Sequence, residues 1–220
     1  MTTLRKSSSS NTTTADERCL PSILMIIDFG HSFKDYNKIL DFYGIWNYTC
    51  PKCGAKHRFH RHARYPRYLT LWDDGALKEE RLDILRLQCN SCKSTHSILT
   101  MDMIPFCIYS IQAFLALVRE CVSEEGSVLK TERNTGVSFQ FLYRFLAIFQ
   151  EYRERLIIFL RTTLFWTDAP NPFPGWVSEA LLMHPPPWPQ AQYFKANASP
   201  LFLHRHNTVS YPLVFGNCQP

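Results

Sequence analysis

Cys50 and Cys53, followed by Cys89 and Cys92, form two C-x2-C pairs separated by 35 residues, and no other feature restricts the folding of this chain so tightly. Two residues between cysteines permit a tight turn that aims both sulfurs at one point, and a tetrahedral metal ion needs two such turns. The gap is longer than the roughly 15 to 20 residues common between such pairs, so the intervening chain has to travel out and return. A β-hairpin does this. "RYLTLWD" alternates bulky residues on the way out, "DDGALKEE" supplies the turn, and "RLDILRLQC" brings Leu82, Ile84 and Leu87 back toward the second pair.

That architecture is a zinc ribbon, with Cys50, Cys53, Cys89 and Cys92 as ligands of one structural zinc ion. With all four positions filled by protein, no site is left for water and the metal holds the fold rather than catalysing a reaction. A disulfide staple is the alternative for an exported chain, but the first 19 residues contain no apolar run of about 7 to 15 residues that would act as a secretory signal. A reducing, cytoplasmic location therefore supports the metal. A thioredoxin-like redox pair would open a helix in a βαβ setting, which neither pair does. Four thiolates satisfy zinc, so His57, His60, His62 and His96 are not expected as ligands. Cys107 and Cys121 are expected in an apolar helix, as small buried hydrophobes.

Between Cys50 and Tyr68 stand Lys52, Lys56, Arg58, Arg61, Arg64 and Arg67, with no Asp or Glu. Phe59, Tyr65 and Tyr68 are interleaved with them, a composition suited to phosphate contacts with stacking support. Lys56, Arg58, Arg61, Arg64 and Arg67 are accordingly candidate DNA contacts. The opposing reading is a solvated strand whose cations pair across the hairpin with Asp73, Asp74, Glu79, Glu80 and Asp83. The net charge of +5 is modest, so the concentration of charge matters more than its sum.

Downstream, "MIPFCIYSIQAFLALVRECVSEEG" spaces Ile108, Ile111, Leu115, Val118 and Val122 as one helical stripe, with Pro105 near its start and Gly126 past its end. "SVLKTERNTGVSFQFLYRFLAIF" then predicts a helix over about 127–135, a left-handed turn at Gly136, a buried Val137, and a second helix from Phe139 capped by Ser138. This is the pattern of a helix-turn-helix, whose second helix enters the major groove. Leu142 and Phe145 would anchor that helix. Ser138, Gln140, Tyr143 and Arg144 would face bases or phosphates, and Lys130 and Arg133 would add backbone contacts. Glu132 stands where such motifs usually carry a small residue, and Thr131 and Thr135 are weak core residues. An ordinary helical hairpin is the alternative. Leu142, Phe145, Phe149, Tyr152, Leu156 and Phe159 continue as a seam, for core packing first and for a homodimer second.

"CPKCG", the strand ending in "CNSC", the "THSIL" strand and "GVSFQFLYRFL" together resemble bacterial proteins that join a zinc ribbon to a helix-turn-helix, in particular the N-terminal DNA-binding parts of transposases and related mobile-element proteins. The resemblance covers roughly residues 45–150 and implies DNA binding. Transposases of that kind carry a further catalytic domain with three separated acids holding two metal ions. After Trp166 only Asp168 and Glu179 are acidic, so the expectation is a non-catalytic relative or a fragment.

The fold class expected is α+β, in four segments: a disordered tail over 1–19; a zinc-ribbon domain over 20–104, opened by a strand in "PSILMIIDFG" and a helix carrying Phe33, Tyr36, Ile39, Leu40 and Tyr43; a helical domain over 105–166; and a Pro- and aromatic-rich irregular segment over 167–220. Ten of the fourteen prolines fall from Pro170 onward, which excludes long helices there. Its aromatics would lie along the helical unit or offer a strip to a protein partner. That second use is the basis of an alternative function, a protein-binding zinc adaptor. No membrane partner and no small-molecule substrate is inferred, because the longest apolar stretches fall short of the roughly 20 residues that cross a bilayer.

Overall fold

The computed structural model describes residues 24–28, 32–36, 48–164, 174–183, 191–193, 196 and 201–202. Strands β1 (Leu24–Asp28), β2 (Phe59–Asp73), β3 (Ala76–Cys89) and β4 (Thr95–Thr100) form one sheet in the order β1-β4-β3-β2. β1 runs parallel to β4, and the other neighbours are antiparallel. The expected opening strand is present. Of the expected opening helix, Phe33 and Tyr36 are buried, whereas Ile39, Leu40, Tyr43 and the tail over 1–19 lie outside the described residues.

The hairpin is longer than the alternation indicated, because Asp74 and Gly75 both take positive φ, 46° and 84°. That pair makes a two-residue turn matching the strand twist, so "ALKEE" joins β3 instead of the loop. Pro66 is accommodated because β2 is the last strand in the sheet order, where a missing N–H costs no ladder bond. A register shift between Arg61 and Ala63 leaves His62 as the extra residue of a bulge.

β3 is central and covered on both faces: Leu82 and Ile84 point to one, Leu85, Leu87 and Cys89 to the other, all buried. β3 and β4 pair only at Arg86–Ser97, Leu87–His96 and Gln88–Thr95. At the next step the Tyr36 hydroxyl sits between them, accepting from the Leu85 N–H at 2.8 Å and donating to the Ile98 carbonyl at 3.0 Å. One phenol thus satisfies two backbone groups where the strands part.

The expected first helix starts later than its apolar stripe. Ser110 caps α1 (Ile111–Val122) by accepting from the Ala113 N–H at 3.1 Å. The preceding residues are extended, the Thr70 N–H and carbonyl bonding to Ile108 and Ser110. Cys107 therefore lies in a loop, contrary to its expected helical place, and Ile108 is exposed rather than buried. α2 (Val128–Thr135) and α3 (Phe139–Leu164) follow, joined through Gly136 at φ 72°. α4 (Pro174–Leu182) begins at proline, which suits the first helical turn, so the C-terminal segment is not wholly irregular.

Two clusters make the core. One lies about the sheet, with residues from both faces of β3; the other lies among the helices and takes in Val177, Tyr193, Leu201 and Phe202 from the C-terminal segment. Trp72 and Leu77 at the hairpin tip pack against the second, fastening sheet to helices. The α3 seam from Leu142 to Phe159 is buried, with Phe202 and Tyr193 stacked near Tyr152, 5.6 and 6.5 Å between ring centres. Among the described residues, no helix is long and apolar enough to cross a membrane.

Candidate metal centre and basic arm

The two cysteine turns have the same backbone plan. In the first, the Cys50 N–H donates to the Ala55 carbonyl at 2.9 Å and the Gly54 N–H to the Cys50 carbonyl at 2.8 Å. In the second, the Cys89 N–H donates to Ser94 at 2.9 Å and the Lys93 N–H to Cys89 at 2.8 Å. The fifth residue of each turn is left-handed: Gly54 at φ 71° without strain, Lys93 at φ 60° against its Cβ. Thr49 bridges to Lys56 behind the first turn, and β3 delivers Cys89 from the sheet's centre.

The four sulfurs lie within 4.8 Å of one another. Cys50 Sγ is 3.6 Å from Cys92 Sγ, and Cys53 Sγ is 3.7 Å from Cys89 Sγ. A tetrahedral ion with sulfurs about 2.3 Å away sets them about 3.8 Å apart, whereas a disulfide would need about 2.05 Å. The cluster fits a metal ion. Without one the thiols are unequal: burial pushes Cys50 up to about 12, while at Cys92 burial is outweighed by the Ser94 hydroxyl and N–H, which hold it down to about 6.

His96 is the residue that reading the sequence as ligand or bystander missed. Fully buried on β4, it places Nε2 3.4 Å from Cys50 Sγ and packs edge-on to Phe59. Burial, with the Lys52 charge, holds it down to about 4, so the ring is neutral, with Nε2 toward the Cys50 sulfur. The available signal was its place inside the apolar strand "THSILT". His60 instead bonds Asn90 through Nδ1 at 2.7 Å, and His57 and His62 are exposed.

Of the five arm residues, Lys56, Arg58, Arg61 and Arg64 are exposed. Leu87 and Leu85 stand directly opposite Arg61 and Arg64 in the register. Arg67 stands apart from this group: it is half-buried, and its guanidinium donates to the carbonyls of Ile104, at 3.0 Å, and Cys107. Its parity with Leu69 and Leu71 on the strand could have shown this.

In the helical half, Val137 is buried as expected. Glu132 is not an intruder, since its carboxylate accepts from the Phe139 N–H at 3.0 Å and supplies the side-chain cap expected of Ser138. Ser138 contributes its carbonyl to the Phe141 and Leu142 N–H groups. Thr131 and Thr135 bond back to carbonyls four residues earlier, and the Thr135 hydroxyl also accepts from the Val137 N–H. Gln140, Tyr143 and Arg144 are exposed on α3 and Arg133 on α2, while Lys130 reaches the Glu125 carbonyl at 3.1 Å. Phe139 and Phe141 add apolar surface beside them.

No curated protein and no solved structure matches this chain. From the first cysteine of the cluster to the glycine of the α2–α3 turn, residues 50–136, the sequence matches the model of a family described as a Domain of unknown function (DUF6431).

Proposed function

We propose that this protein is a zinc-stabilised DNA-binding protein with no catalytic step of its own, related to the DNA-binding regions of transposases. The observation that carries the reading is the exposed group Lys56, Arg58, Arg61 and Arg64, gathered on the chain beside the cysteine cluster. Zinc is the ion this reading assigns to the cluster. Four thiolates select soft or borderline metals, and a closed tetrahedral sulfur set is the pattern of structural zinc.

Here the cluster ties the two ends of the hairpin, so the arm beside it is presented on a fixed support. α2, the Gly136 turn and α3 act as the helix-turn-helix, with Gln140, Tyr143 and Arg144 toward the base edges and Arg133 toward the backbone. Binding measured by fluorescence anisotropy on random duplex DNA should fall steeply with salt, because each phosphate neutralised releases counterions.

The alternative is a zinc adaptor that binds protein. The exposed Phe139, Phe141 and Tyr143 favour it, since aromatic surface is enriched where proteins dock. It does not draw on Tyr193 and Phe202, which are buried. Partner binding that ignores salt would select it.

A further inference from the structure

His96 enters the sheet between two leucines, paired with Leu24 of β1 on one side and Leu87 of β3 on the other. Its ring is fully buried, and Phe59 meets it edge-on with ring centres 5.6 Å apart. Nε2 stands 3.4 Å from Cys50 Sγ, whereas Nδ1 is buried and, among the described residues, has no partner. An imidazole sunk in apolar surroundings with one nitrogen idle costs stability, so the other nitrogen has to repay it.

Cys50 is where the return lies. It is fully buried, whereas Cys53 at the rim of the same cluster is exposed. A thiolate that water does not reach keeps its charge only when N–H groups take the place of water. The Lys52 and Cys53 N–H groups of its own turn bond to this sulfur, and His96 is the side chain that reaches it from the sheet.

The two neutral tautomers of the ring differ sharply in this setting. With the proton on Nε2, the ring donates to the sulfur and leaves only a lone pair idle at Nδ1. With the proton on Nδ1, an N–H is orphaned in the core, which is the rarer fault, and a lone pair faces the negative sulfur. The hydrogen bond within reach decides which ring nitrogen carries the proton.

We infer that His96 is a positioning residue of the metal centre, its Nε2–H donating to the Cys50 thiolate and so fixing that sulfur's charge and direction for the ion. Partners that hydrogen-bond a metal's ligands typically change its affinity by about 10- to 100-fold. This role rests on the metal reading of the cluster and is independent of DNA binding.

The test uses the full-length, nitrogen-labelled protein loaded with a spin-active cadmium isotope and read by NMR. The His96 ring proton should sit on Nε2 and show scalar coupling to cadmium through the Cys50 sulfur. Zinc affinity, measured by competition with a chelator, should fall about tenfold or more in His96→Phe. His96→Gln, whose amide N–H reaches the Nε2 position, should recover most of that loss; His96→Asn, whose amide reaches only the Nδ1 position, should not. A proton on Nδ1, absent coupling in the cadmium-loaded protein, a direct bond from the ring nitrogen to cadmium, or unchanged zinc affinity in folded His96→Phe would each overturn the assignment and leave the metal centre standing. Failure of the native protein to take up cadmium or zinc would overturn both.

Discussion

Tyr36 shows how much one buried atom can carry. Its hydroxyl serves the Leu85 N–H and the Ile98 carbonyl where β3 and β4 separate. Tyr36→Phe strands both, at roughly 1–3 kcal/mol for each buried polar group, and a lowered denaturant midpoint with unchanged slope would show it. Asp102 is the opposite case. Buried at the sheet–helix junction, it accepts from the Phe33 N–H at 2.6 Å, yet burial raises it from 3.8 to about 6. A carboxyl raised in this way contributes stability that is complete below pH near 4 and lost as pH climbs through 6. Asp102→Asn should therefore gain on the native protein between about pH 4 and 6, by on the order of 2 kcal/mol, and hold that advantage above pH 6. Acid loss of the metal is common to both proteins and cancels in their difference. These two roles were not legible in the sequence, because both depend on partners more than 45 residues away.

Among the elements, the hairpin and the paired cysteine turns were the most legible, since C-x2-C spacing and Asp-Gly both impose local geometry. What local pattern missed was competition. The apolar stripe through Ile108 read as helix, but Thr70 claims that stretch for the sheet and Ser110 sets the true start. Glu132 stands out of pattern in the sequence because its role is long-range: its carboxylate caps the Phe139 N–H at the start of α3. Glu132→Ala should then cost about 1 kcal/mol, read as a lower unfolding temperature together with faster amide exchange at Phe139. In the second cysteine turn Lys93 occupies the left-handed position that glycine fills in the first. Lys93→Gly relieves that strain, so the metal-loaded protein should gain up to about 1 kcal/mol.

At the scale of the whole molecule, the cysteine cluster and the helices are joined through the far end of the hairpin, where Trp72 and Leu77 pack on the helical core and Arg67 bonds the loop before α1. The sequence made the two units visible but not this fastening, since Arg67 carries the same charge as its exposed neighbours. The C-terminal segment was open between packing and display; among its described residues Val177, Tyr193, Leu201 and Phe202 pack in the core, while Met183 is exposed. The central claim is that the arm next to the cluster, and not the cationic run as a whole, holds phosphate. It is tested by anisotropy on random duplex DNA across a salt series for the zinc-loaded protein, Arg61→Ala and Arg67→Ala. The account predicts steep salt dependence, a slope smaller by about one unit for Arg61→Ala, and for Arg67→Ala lost stability with the slope unchanged. No binding at low salt, or equal slopes for the native protein and Arg61→Ala, would contradict it.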